Sequence, residues 1–480
     1  MIGIHGDTHA GQLRMLAVGL AGGRAVWRSV GLGVGLGVTL AASAAIAQPE
    51  AMRLAAERAD DLESRAVAIA SIDPRIEGDD FADLMPLKDA IGDARVVWLG
   101  EQSHGEGAAF LAKGRLVKFL HQEMGFDVLV WEAGLAMGPL VDEAMRDPAR
   151  SAAEAANEGI FPIWSAAMQV GPLLDYVKAT QQTDRRIISA GMDAQLTGAQ
   201  GIRAMIDHVE HLFAPIGGPP AGAVAFGEAS QAFWEAAGPD TGRLAIEQLS
   251  AAVAAIEAAA AEIDANHEPW RREFVERCLG DAASFIRTRV AYLEADGNMM
   301  NMDRDLLNDR DRRMGDNLVF LTNEVYPDRK MIVWAATFHG IYDLPAIRYD
   351  KAPGMYDTMF AAGMTAHREL DDDLYHVAFL ALGGEVGSVY MQQPRRIGAR
   401  PEGSVERTLD RIEDPFLFVD LRGLPGDHWL RGPTVMAPLG NEPMTAAWPE
   451  QFDGFVSIEA EFPASRERLA PEGYALTVGE

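Results

Sequence analysis

The sequence predicts an α/β protein: a mostly parallel sheet covered by helices on both faces, with a large, mostly helical insert acting as a cap. Two observations carry this. Six short apolar runs, rich in β-branched and aromatic residues, recur along the chain with little in–out alternation. Such continuous runs, separated by helical stretches, mark strands buried on both sides, as in parallel sheets. Between the third and fourth runs, the interval 200–315 lacks any such strand and shows helical spacing instead.

Taken in order, the chain opens on an address. Arg14, Arg24 and Arg28 precede the uncharged run Val30–Ala47, which ends in Ala45-Ile46-Ala47 and is followed by Gln48-Pro49. This is the layout of a secretory signal peptide over residues 1–47, with cleavage after Ala47. Either Met1 or Met15 can serve as the start. An uncleaved anchor would need about 20 strongly apolar residues, and Gly, Ala and Ser dilute this run. The glycines of residues 31–37 follow no strand, so they do not form a dinucleotide-binding fingerprint.

Residues 48–199 are expected to form the first part of the α/β core. A surface helix over 50–72 leads to the strands Ala94–Leu99, Asp127–Trp131 and Arg186–Gly191. In the insert, Leu244, Leu249, Val253, Ile256, Ala260 and Ile263 recur at intervals near three and four, predicting an amphipathic helix. A second helix is expected over Pro269–Leu293, and Pro215–Pro220 reads as loop. Residues 316–480 resume the core with Met331–Ala336, Tyr375–Leu382 and Phe416–Val419.

The chain has 480 residues and a net charge of −29, falling to about −31 once the leader is removed. An acidic surface repels phosphate backbones, which argues against nucleic acid as a partner. The single cysteine, Cys278, can form neither an intramolecular disulfide nor a cysteine-based zinc site. No second long apolar segment is evident, so no stable membrane insertion is expected after export.

In open parallel sheets, ligands bind beyond the carboxyl ends of the strands. The residues after the runs are therefore the informative ones. Gly100-Glu101-Gln102-Ser103-His104-Gly105 follows the first, Glu132 the second and Asp193 the third. Thr337, Phe338 and His339 follow the fourth, and Glu385 lies beyond the fifth. Glu101 and His104 fall at the start of the next helix, where a carboxylate can orient an imidazole as a general base. On that helix, Lys113 is placed to stabilise an oxyanion or hold a carboxylate, whereas Arg115 and Lys118 read rather as a solvated face. Ser103 sits in no G-x-S-x-G elbow, and the chain has no H-E-x-x-H or Walker A motif. Arg310-Asp311-Arg312-Arg313 on its own reads as an exposed helix start.

These segments together resemble the erythromycin esterase family. The resemblance rests on Gly100-Glu101…His104-Gly105, on Lys113 nine residues after His104, on Gly125-Phe126…Glu132, and on Trp334-Ala335…His339. Trp164 within FPIW, Gly191-Met192-Asp193-Ala194-Gln195, Arg310-Asp311…Met314…Asn317-Leu318 and Phe452-Asp453-Gly454 support it. The chain departs from the family where relatives carry a further His and Asn (here Ala336 and Thr337) and an acid four residues after the first His (here Ala108). It departs again near Trp164, where Met168 and Gln169 stand in place of a common Glu.

The resemblance implies hydrolysis of a small-molecule ester or lactone by activated water, without a covalent intermediate, cofactor or metal. His104 would be the base, oriented by Glu101 or Glu132, and His339 and Lys113 would polarise the carbonyl. Ser103, Arg115, Trp164, Asp193 and Arg310 would contact substrate. Macrolide ring opening, and with it antibiotic resistance, is the activity that family membership brings to mind for a periplasmic or secreted protein. Two other readings stay open: a metal- or haem-binding protein (or metallohydrolase) built on the same His and Glu residues, and a non-catalytic envelope-associated relative.

Overall fold

The six apolar runs all become strands of one sheet. The computed structural model describes residues 52–479 apart from 199, 237, 299 and 300, so the leader expected over 1–47 lies outside the described residues. The strands are β1 (Val96–Glu101), β2 (Val128–Gly134), β3 (Ile188–Asp193), β4 (Met331–Ala336), β5 (Leu374–Val386) and β6 (Phe416–Asp420). Every residue of β1 to β4 is buried. That is why their sequences run apolar without alternation.

Among the described residues, three further strands longer than two residues were not foreseen. Thr434–Leu439 (β7) and Glu442–Ala446 (β8) form a separate hairpin. Its tip, Gly440-Asn441, holds two positive φ angles of 62°, a conformation that favours Gly and Asn. Gly454–Glu461 (β9) joins the main sheet, although Ser457, Glu459 and Glu461 interrupt its apolar pattern.

The main sheet runs β6-β9-β5-β1-β4-β2-β3, with the short segment Val67–Ala68 beyond β6. All neighbours from β9 to β3 are parallel, and β6 is antiparallel to β9. From β1 the chain moves to β2 and β3 on one side and later to β5 and β9 on the other. The strand order thus reverses at β1, and the crevice at such a switch point is where ligands bind. The register places Glu101 beside Ala336 and Gly134 beside Asp193, bringing the carboxyl ends of four strands level.

Helices cover both faces. Val97, Leu99, Trp131 and Trp334 pack beneath α1 (Gly107–Met124) and α2 (Gly171–Thr180). On the other face, Val96, Trp98, Val130 and Val333 meet the insert. The insert consists of α3 (Ile202–Phe213), α4 (Ala221–Ala236), α5 (Pro239–Asn266), α6 (Pro269–Glu294) and α7 (Arg304–Phe320). Through Met205, Leu279, Met314 and Leu318 its core is continuous with that of the sheet. One expectation changes here. By length and composition α5 is apolar enough to cross a membrane (mean hydropathy 1.4). Alanine supplies much of that hydropathy, and Gly242, Ala245, Ala252, Ile256 and Ile263 are buried.

Candidate active site

β1 delivers Glu101 as its last residue, and the helix α1 begins only at Gly107. Glu101 is therefore strand and His104 lies in the connecting turn, not at a helix start. Position 100 requires glycine: a Cβ there would sit 2.7 Å from Thr337 Oγ1 and 2.8 Å from His376 Nε2.

The Glu101 carboxylate is enclosed and takes three partners. Its Oε1 accepts from Trp164 Nε1 at 3.2 Å and lies 3.2 Å from His104 Nδ1, while Lys113 Nζ pairs with Oε2. A carboxylate only accepts, so Nδ1 donates to Glu101, and His104 Nε2 makes no hydrogen bond among the described residues. The imidazole meets Trp164 edge-on, with centroids 5.1 Å apart. Lys113 is fully buried, its ammonium 4.1 Å from the Trp334 ring centre and 3.4 Å from the Ala335 carbonyl oxygen. Burial pulls its pKa down, and Glu101 opposes that. Enclosed in this way, Lys113 meets Glu101 and the Trp334 ring.

From β2, Glu132 is the hub. Its Oε2 accepts the Ala336 N–H at 3.0 Å. Its Oε1 lies 2.9 Å from Arg310 Nη2, 3.3 Å from His339 Nε2 and 3.8 Å from His104 Nε2. Burial favours the neutral acid, yet His339, His104 and Arg310 together hold Glu132 well below the usual carboxylate range. Arg310, from α7, also grips Asp193 at the end of β3 with two prongs, Nε to Oδ1 at 3.0 Å and Nη2 to Oδ2 at 2.7 Å.

His339, just beyond β4, is bound on both sides. Its Nδ1 stands 2.6 Å from Asp311 Oδ1, opposite the contact with Glu132. Burial resists the charge, but the Asp311 and Glu132 carboxylates prevail and push the imidazole up to about 10. It is an imidazolium at neutral pH.

Eight of the ten residues expected at the site converge: Glu101, His104, Lys113, Glu132, Trp164, Asp193, Arg310 and His339. Ser103 sits in the turn, but its hydroxyl is given to Glu106 at 2.9 Å. Arg115 is placed elsewhere. Its guanidinium is locked to Asp79 and Asp83 at distances of 2.7–3.0 Å and to the Ser71 carbonyl. Two residues along a helix is a rotation of about 200°, so Arg115 faces away from the side that Lys113 occupies.

The sequence reading missed Asp311 as a partner of His339. Asp311 lies in a charge run that reads as an exposed helix start, and Arg312, the next residue, does point outward, 42% exposed. Within the cluster, the accessible side chains are His104 (18% exposed) and Arg310 (22%), while Glu101, Glu132 and Asp193 are sealed. Among the described residues, no three His, Cys, Asp or Glu side chains converge so as to hold a metal ion.

Comparison with known proteins identifies the family. The family model described as erythromycin esterase matches residues 121–460. A putative hydrolase, YbfO, of Bacillus subtilis (strain 168) is 23% identical over 417 residues, covering 78% of this chain and 86% of that one. Among solved structures, a succinoglycan biosynthesis protein has a TM-score of 0.66 at 17% identity, covering 86% of this chain and 98% of its own. A histidine-to-asparagine variant of the erythromycin esterase EreC, in its open conformation, has a TM-score of 0.63 at 15% identity, over 83% of this chain and 98% of that one. At such identities the structural likeness concerns the fold. The family match, which spans well over half of the sequence, establishes that the chain belongs to the erythromycin esterase family of esterase-like hydrolases.

Proposed function

We propose that this chain is an exported hydrolase that opens an ester or lactone with a water molecule activated by His104. One observation carries the reading. Two imidazoles from distant parts of the chain face the same Glu132 oxygen, at 3.8 and 3.3 Å, and differ in how tightly they are held and how far they are exposed. His339 is clamped between two carboxylates and stays charged; His104 is partly accessible, with Nε2 open.

In this scheme His104 Nε2 takes a proton from water, and the hydroxide adds to the substrate's carbonyl carbon. The resulting tetrahedral oxyanion is stabilised by Arg310, the accessible cation of the cluster, with the charged His339 behind it. Collapse breaks the carbonyl carbon–oxygen bond, and the His104 imidazolium returns its proton to the departing alkoxide. Acid and alcohol leave; from a lactone they are one ring-opened hydroxy acid. Glu101 and Glu132 stabilise the transient His104 cation, and Trp164 and Lys113 keep Glu101 in place.

Macrolides are candidate substrates within this class. They are bulky cations, which an acidic protein attracts. Ala336 and Thr337, where relatives carry His and Asn, alter the wall next to His339. The export part of the proposal rests on the arginine-led run ending at Ala47. The test is a panel of esters and lactones, macrolides included, read by mass spectrometry for the gain of one water. Replacing His104 by Ala should cost about 10² or more in turnover. Undiminished hydrolysis by that variant would remove His104 from its role.

A further inference from the structure

Glu106 lies two residues beyond His104, and it is completely buried without an ion-pair partner among the described residues. Its carboxyl group instead closes the turn. Oε2 accepts the Gln102 backbone N–H at 3.0 Å, and Oε1 accepts the Ser103 hydroxyl at 2.9 Å. Oε1 also accepts an N–H of the Asn441 side-chain amide at 2.6 Å, which ties the turn to the tip of the β7–β8 hairpin. That amide is oriented by Arg400, whose Nη2 donates to Asn441 Oδ1 at 3.1 Å.

The charged groups that face Glu106 are Glu101 at the end of β1, Glu461 at the end of β9, Lys113 on α1 and Arg400. Glu461 is itself occupied, accepting the N–H groups of Ala108 and Ala109 at the start of α1 at 2.6 and 3.3 Å. Burial raises Glu106 above the usual carboxylate range and raises Glu461 with it, each carboxylate adding to the other's rise; the Asn441 and Ser103 hydrogen bonds restrain Glu106, and Glu101 lifts it further.

The donors at this carboxyl group are not equivalent. The Gln102 amide and the fixed Asn441 amide can only donate, whereas a hydroxyl can turn and accept. A proton arriving on Glu106 therefore settles on Oε1 toward Ser103, and Ser103 must reverse its own hydrogen. We propose that Glu106 is a positioning residue for His104, which it holds through the Gln102–Ser103 turn, and that its proton is sensed at His104 through the Ser103 hydroxyl.

The inference rests on His104 being the base, but its test requires no substrate. In the whole chain, with histidine labelled with ¹³C and ¹⁵N, the His104 ring resonances are followed from about pH 5 to 9 and assigned by their loss in His104→Gln. The wild-type chain should show two inflections at His104, its own and a second from Glu106. Glu106→Gln should abolish the second. Ser103→Ala should shrink its amplitude at least threefold. Asn441→Gly, which suits the positive φ at that position, frees the carboxyl group from the hairpin and should shift the second inflection.

A single inflection in the wild-type chain, or a second one unchanged in both Glu106→Gln and Ser103→Ala, overturns the proposal. If Glu106→Gln does not fold, the other two variants decide. A negative ester panel would refute the hydrolase reading while leaving these titrations intact. A flat titration in a chain that hydrolyses esters would refute only the role of Glu106.

Discussion

Replacing Asp311 by Asn isolates the charge that keeps His339 protonated. The amide oxygen can still accept from His339 Nδ1 and from the Ala362 N–H, which now reaches Asp311 Oδ1 at 3.2 Å. Shape and hydrogen bonding persist while the negative charge goes. His339 moves from an ordinary 6.5 to about 10 in the fold, and its side chain is only 8% exposed. At about 1.4 kcal/mol per pKa unit, the folded state gains ~5 kcal/mol from that shift when the solution is acidic.

The sign follows from the raised value. The stabilisation is complete below 6.5 and disappears as pH rises through 10. Integration leaves ~4 kcal/mol at pH 7 and ~1.5 kcal/mol at pH 9. Asp311 is the larger of the two carboxylate influences, ahead of Glu132. Asp311→Asn should therefore lose about 3 kcal/mol at pH 7 and about 1 kcal/mol at pH 9. Urea unfolding followed by tryptophan fluorescence at the two pH values measures the gap between variant and wild type. A gap that stays constant or widens toward pH 9 would contradict the account, as would a wild-type His339 that titrates near 6.5.

Three further substitutions follow from the geometry. Lys113→Met strands a buried Glu101 without its cation and should cost ~3–5 kcal/mol in urea unfolding, with Glu101→Gln in the same chain recovering part of the loss. Arg115→Met removes the cation shared by Asp79 and Asp83, so stability should fall by ~3 kcal/mol. Its turnover per folded molecule should match wild type, and a selective rise in KM would instead return Arg115 to the substrate. Gly100→Ala drives a methyl group against the Thr337 Cα at 2.8 Å. It should destabilise by ~1–3 kcal/mol and displace the turn that carries His339, lowering turnover more than Ala133→Gly on β2.

The layered sheet was legible because burial on both faces leaves a local mark. Runs such as Val96–Leu99 and Met331–Ala336 are apolar at every position, and their short length and β-branched and aromatic residues mark them as strands. β9 escaped because Ser457 and Glu461 are buried yet polar. The serine lies inside the sheet, and the glutamate is held by the first amides of α1. The acids and histidines at the strand ends were legible for a related reason. Parallel strands bring all their carboxyl ends to one edge, so the residue after each run belongs to the same crevice.

Pairings within that crevice were a different matter. α1 is buried at every position from Gly107 to Val117, so it has no polar face to distinguish Lys113 from Arg115. Only the direction of the helix and the presence of Asp79 and Asp83 did that. Asp311 and Arg312 are adjacent in a charged run, and the packing of Met314 and Leu318 on the sheet set the phase that turns one inward and the other out. The sequence by itself determined the α/β layering, the edge of the sheet that carries the chemistry, and most of the side chains found there. The tertiary structure decided which carboxylate meets which imidazole, and hence that His339 is a fixed cation while His104 keeps an open nitrogen. Strand character follows from near neighbours in the chain, whereas a proton's affinity depends on charges within a few ångströms, brought there by strand order, register and helical phase.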